Sequence, residues 1–186
     1  MKRYRGTISP RRRIFLGCEG SSEHAYGTLL ARLARDRESM HVHVDVVNLN
    51  PGAGDPLALV ERACQEVIRG ERGHVPYALK ALLLDHDKMG EAPERDAQVA
   101  VRASELLLIW QQPTHEGFLL RHLDGCGALR PSKDRCLQRL QREWPSYTKP
   151  MTAGRLAERI TPMEVERACA VELDLREFLR AIDWFA

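Results

Sequence analysis

Four carboxylates carry the chemistry this sequence can be asked to do: Glu19, Asp85, Asp87 and Glu116. Asp85 and Asp87 are spaced i and i+2 behind the apolar run Ala81-Leu-Leu-Leu84. If that run is a strand, both side chains at its end can turn toward one ion. Hard cations such as Mg²⁺ take carboxylate oxygens and keep several waters. A metal held that way generates hydroxide or stabilises the departing alkoxide of a phosphodiester. Each acid also has a plainer reading. Asp85-His86-Asp87 could be a solvated loop, and Glu19 and Glu116 could balance the macrodipole at a helix start. The metal reading gains from coincidence, because all four acids fall at expected strand ends on the same edge of one sheet.

The elements that would position them read in order. Ile14-Phe-Leu16 is a short buried strand, with Glu19 just beyond it. Ser21-Ser22 offers an N-cap, and Ala25, Leu29, Leu30 and Leu33 recur at helical spacing up to about Arg35. His41 to Asn48 alternates strictly, with Val42, Val44 and Val46 on one face, which predicts a strand near the sheet edge. Asn50 to Pro56 is turn chemistry. A helix runs from Leu57 to Arg69, with Gly70 as its stop. Ala81–Leu84 reads as a central strand, Glu94–Ser104 as a helix and Leu106–Trp110 as a further buried strand. Beyond Pro113 the patterns are all helical: Glu116–Leu123, Ser132–Trp144, a short piece around Arg155, and Thr161–Asp183. The β-α-β-α-β-α-β order predicts an α/β fold, a Rossmann-like, mostly parallel four-stranded sheet flanked by helices, with a helical C-terminal layer from residue 116. Ligands of such sheets bind beyond the carboxyl ends of the strands.

Bulk properties bound the answer. The 186 residues suit one α/β domain over 12–186, behind a basic arm over 1–11 carrying Lys2, Arg3, Arg5 and Arg11. That arm could neutralise phosphates or be a solvated tail. No apolar run approaches the ~20 residues that span a bilayer. The basic start lacks the apolar stretch of a signal peptide, so a cytoplasmic protein with no membrane partner is expected. Five cysteines without a CxxC pair argue against a disulfide framework or a structural zinc site. His24 could touch a phosphate or be a surface histidine, and Lys149 could contact a phosphate or be solvated. His41 and His43 share a strand face but read as edge polarity. His122, on the helix face of His115, could support Glu116 or equally serve at the helix surface or as a cap. Trp110, Trp144 and Trp184 read as core.

Cys18-Glu19-Gly20, then Ser22-Glu23 and Tyr26, resembles the opening motif of the RloB family, a Toprim-fold group of bacterial defence proteins. Leu83-Leu-Asp85-His-Asp87 is similar to its D-x-D strand end. Pro113-Thr-His-Glu116 with Leu119, Leu120 and His122 resembles its P-x-F-E-x-W-L-L-x-H segment, and Tyr147 with Lys149 resembles a later Y-x-K element. His115 stands where the family has an aromatic, Phe118 is displaced by Gly117 from the tryptophan position, and Gly27 replaces an aromatic after Tyr26. The acids are intact.

The resemblance implies a Toprim fold with Glu19 as general acid/base and Asp85 with Asp87 holding Mg²⁺ (or Mn²⁺). Glu116 would be an additional acid, binding metal directly or through water. It further implies a Mg²⁺-dependent nuclease of DNA or RNA in antiviral defence, like the nuclease half of OLD-type or abortive-infection systems. Such systems often include an ABC-type ATPase, here an RloA-like partner on another chain, since this one has no G-x-x-x-x-G-K-[ST] loop. Oligomerisation is compatible with that scheme. A non-catalytic Toprim binding or assembly subunit is the main alternative. Nucleotidyl transfer would need a basic nucleotide-binding groove, which the sequence pattern does not single out.

Overall fold

A computed structural model of the protein describes residues 10–50, 56–86 and 91–185. Most of the basic arm, most of the Asn50–Pro56 turn, and Asp87 therefore lie outside the described residues. The elements alternate as expected: β1 (Arg12–Cys18), α1 (Ser21–Arg35), β2 (Val42–Asn48), α2 (Pro56–Glu71), β3 (Leu79–Asp85), α3 (Glu91–Ala103) and β4 (Leu107–Gln111). Five helices come after them: α4 (His115–Leu120), α5 (Cys136–Glu143), α6 (Ala153–Ala157), α7 (Pro162–Ala168) and α8 (Leu173–Ala181), with a 3-10 turn at Lys133–Arg135 leading into α5.

The four strands form one all-parallel sheet in the order β2-β1-β3-β4. It is an α/β fold with helices on both faces. Strand pleating sorts the apolar residues between two cores. Ile14, Leu16 and Cys18 of β1 and Ala81 and Leu83 of β3 point into the larger one, shared with Tyr26, Phe118, Phe178 and Trp184. Phe15 of β1 and Leu82 and Leu84 of β3 point the other way, onto Leu59, Val60, Ala63 and Val67 of α2. Both inner strands are thus apolar on both faces, as buried parallel strands must be. Each fully buried side chain of this size contributes roughly 1.5–3 kcal/mol.

β2 is an edge strand, as its polar alternation predicts. His43 sits 3.0 Å from Asp45, and Asp45 also accepts from Arg13 at 2.7 Å. His43, the histidine of this strand, therefore serves edge polarity. β4 closes the opposite edge, where Asp174 of α8 accepts the Trp110 backbone N–H at 3.2 Å. Trp144 and Trp184 are buried, as expected, and Trp110 is half-buried.

Three local expectations need correction. Gly20, extended and without a side-chain cap, is the N-cap of α1. Ser21 and Ser22 already lie inside the helix because β1 leaves only two residues before it turns. α2 runs through Gly70 to Glu71, and the left-handed position falls at Gly73 instead (φ 72°). The Thr161–Asp183 stretch is two helices, not one. The chain breaks over Cys169–Glu172 although no proline or glycine is present, because tertiary partners hold both sides of the break. Glu172 is ion-paired with buried Arg121, and Asp174 reaches β4. Among the described residues no helix is long and apolar enough to cross a membrane. All five cysteines are free.

Candidate functional site

The strand order creates the site. From β1 the chain moves to β2 on one side, and the next crossover places β3 on the other. A crevice must open between the carboxyl ends of β1 and β3, and that is where ligands of such sheets bind. Cys18 pairs with Leu83 in register, so the residues just beyond them emerge side by side. Glu19 is the first residue past Cys18, and Asp85, the last residue of β3, is the second past Leu83. The Asp85 backbone N–H donates to Glu19 Oε2 at 2.9 Å, and the Glu19 N–H donates to Leu83 O at 3.2 Å. Two acids separated by 66 positions are thereby locked against one another.

Glu116 arrives from the other direction. Pro113 ends the β4 connection, and Thr114 caps α4 by accepting from the Gly117 N–H at 3.3 Å. This cap points Glu116 inward, where its side chain is 5% exposed. Lys149 Nζ is ion-paired with Glu116 Oε1 at 2.7 Å. Burial pushes the Glu116 carboxyl up, but the Lys149 ammonium outweighs it and holds the group below the ordinary glutamate range. For Lys149, desolvation pulls down, while Glu116 first and then Glu23 and Asp85 raise it above the usual lysine value. The ammonium therefore sits in the field of three carboxylates. Lys149, expected either to contact phosphate or to be solvated, is half exposed and paired with an acid.

Glu23 is the acid that sequence reasoning did not place in the site. It lies in the first turn of α1 yet is only 6% exposed. Its Oε1 is 3.6 Å from His115 Nδ1, and His115 Nδ1 donates to Gln111 Oε1 at 3.0 Å. Burial lowers the His115 pKa, so the ring is neutral, against the pull of Glu23 and Glu116. The Gln111 side-chain nitrogen is buried with no hydrogen-bond partner among the described residues. Tyr147 is buried beside the same acids, and burial together with Glu116 and Glu23 raises its hydroxyl pKa. The sequence signal for Glu23 was a first-turn acid, which on its own means only dipole compensation. Gln111 carried no signal beyond its place after a strand.

The remaining candidates lie elsewhere. His24 lines a groove between α1 and β2 together with Arg32, Arg35 and His43. His122 faces the core: the Tyr26 hydroxyl donates to its Nε2 at 2.7 Å, and its Nδ1–H donates to Phe118 O at 3.1 Å. It ties α1 to α4, a structural role in place of the expected support for Glu116.

The donor chemistry suits a hard cation. The acids at the β1 and β3 ends offer carboxylate oxygen, and the region already seats one positive charge, the Lys149 ammonium. Among the described residues no three His, Cys, Asp or Glu side chains converge to cage a metal ion. Mg²⁺ does not require such a cage, because it keeps most of its waters and uses one or two carboxylates. The chain matches no protein-family model, no curated protein and no solved structure.

Proposed function

We propose that the protein is a metal-dependent phosphodiesterase acting on nucleic acid, with Mg²⁺ or Mn²⁺ held at the ends of β1 and β3. The observation that carries this is the Glu19–Asp85 juncture at the switch point of the sheet. Asp85, joined by Asp87, would hold the ion with Glu19 beside it, and when bound the ion supplies an activated hydroxide or charge stabilisation at the leaving oxygen. Glu19 handles a proton, fixed in orientation by the Asp85 N–H. Glu116 anchors Lys149, whose ammonium would meet a phosphate oxygen. The resemblance to RloB proteins supports the same reading and adds a defence role with an ATPase on a separate chain.

A second reading rests on the Glu116–Lys149 pair. Because that acid is already neutralised, the site could recognise a metal–nucleotide complex without cutting it, as an assembly subunit would.

Calorimetric titration with Mn²⁺ and Mg²⁺, beside a cleavage assay on DNA and RNA, separates these. The nuclease reading expects Asp85→Ala to lose both metal binding and cleavage with its melting temperature unchanged or raised, as carboxylate repulsion is relieved. It expects Glu19→Gln to bind metal without turnover. Metal binding without cleavage of any nucleic acid by the wild type supports the second reading. Cleavage that survives Asp85→Ala sinks the first.

A further inference from the structure

We infer that the groove along α5 is the track on which the sugar–phosphate backbone of a nucleic acid is held, an inference that rests on the nuclease reading of the acidic site. The groove has a volume of about 580 Å³ and is lined by Arg130, Arg135, Arg139 and Arg142 with Ser132 and Gln138. Arg135, Gln138, Arg139 and Arg142 are spaced i, i+3, i+4, i+7, so α5 and the turn before it present them as one stripe. Of the four arginines only Arg139 is held by a carboxylate among the described residues, Glu143 at 2.8 Å. Arg130 donates only to its own loop, to Gly127 O at 2.7 Å and Leu129 O at 2.9 Å. Arg130, Arg135 and Arg142 are exposed. Guanidinium groups in a row, beside a hydroxyl and an amide, match the repeating charge of a phosphodiester backbone.

The groove also leads to the acids. Arg130 and Pro131 are shared with a neighbouring cleft of about 470 Å³ at the carboxyl end of β4, which Trp110 and Gln112 line. Trp110 packs edge-on against His86, the residue after Asp85, with ring centroids 5.6 Å apart. At the other side Cys136, the first residue of α5, lies against α4: a Cβ on Gly117 would stand 3.0 Å from its sulfur. A backbone lying along α5 would thus run toward the carboxyl end of β4, past Glu172 and Asp174 of that cleft, to the neighbouring strand end where Asp85 stands. The basic groove between α1 and β2 lies on the β2 side of the sheet, away from α5.

The test is fluorescence anisotropy of labelled DNA and RNA oligonucleotides with the full chain in EDTA, where cleavage does not enter. The wild type binds, and binding weakens with salt. Arg135→Ala/Arg142→Ala loses affinity by at least about tenfold at moderate salt, and its salt slope falls by about two, one per phosphate contact. Its melting temperature is unchanged, because both side chains are exposed, and Arg135→Lys/Arg142→Lys restores most of the binding. Wild-type affinity and slope in the alanine variant overturn the proposal. So does a loss that appears instead in Arg32→Ala/Arg35→Ala, or binding to anionic phospholipid vesicles with none to oligonucleotides. Failure of the nuclease reading registers separately, as cleavage that is absent from the wild type or indifferent to Asp85.

Discussion

Acid should weaken this protein through one histidine well above the pH at which its carboxylates protonate. His122 is fully buried, accepts from the Tyr26 hydroxyl through Nε2 and donates to Phe118 O through Nδ1, so the neutral ring satisfies both partners. Burial lowers its pKa from the ordinary 6.5 to about 3. Between those two values the unfolded chain takes up a proton that the folded chain refuses. Stability is therefore complete above about pH 6.5 and is lost as pH falls, by about 1.4 kcal/mol per pH unit, until the folded pKa is reached. By about pH 5 the loss from this group is roughly 2 kcal/mol. His115, also held neutral by burial, acts in the same direction. His122→Gln keeps an acceptor for Tyr26 but does not titrate. Urea denaturation of both proteins at about pH 7.5 and about pH 5 should show a stability drop in the variant smaller by roughly 2 kcal/mol. The comparison is between drops, so any fixed cost of repacking cancels. Equal drops in the two proteins would refute the assignment of the acid sensitivity to His122.

Other perturbations test the site and its frame. In Lys149→Met the Glu116 carboxyl keeps its burial and loses its cation, so its pKa rises above the ordinary value. The variant should be less stable at neutral pH by about 1–3 kcal/mol, below the figure for a fully buried pair because Lys149 is half exposed. That deficit should shrink as pH falls and Glu116 takes up a proton, which thermal denaturation across pH will show. Gly27→Ala tests how closely α1 rests on the sheet: an added Cβ would stand 3.0 Å from Cys18 Sγ, 3.0 Å from Val46 Cγ1 and 3.1 Å from Leu16 Cδ2. A cost of about 1–3 kcal/mol is expected from chemical denaturation.

The features legible in the sequence were those that local pattern decides. The apolar runs at Ile14–Leu16 and Ala81–Leu84 had to be inner strands, because nothing polar interrupts them on either face. The alternation of Val42, Val44 and Val46 marked an edge for the opposite reason. Glu19 and Asp85 were readable because the end of a strand fixes where the adjoining residue stands. The rest depended on partners distant in sequence. Nothing around Lys149 announces that Glu116, 33 positions earlier, will take its ammonium. Nothing in Ser22-Glu23 announces that His115 and Tyr147 will bury that glutamate. The break before α8 is set by Arg121 and β4, not by a helix breaker. The position after Tyr26 is glycine in this chain because the helix passes too near Cys18, Leu16 and Val46 to admit a side chain. The arginine stripe on α5 was present in the spacing all along, but its concavity comes from the loop carrying Arg130, which only the folded chain brings alongside.

The site is also an order of assembly. β1 is made first, yet its inner neighbour β3 comes only after β2 and α2, and the Asp85 N–H that bonds Glu19 arrives 66 residues later. Glu116 then stays a buried-to-be charge without its counterion until Lys149 is synthesised. During translation the emerging chain therefore carries the acids for a long interval without the geometry that would let them act together. Parallel pairing across such separations is slow to form. A ribosome-bound chain stopped short of residue 149 therefore holds Glu116 without its counterion.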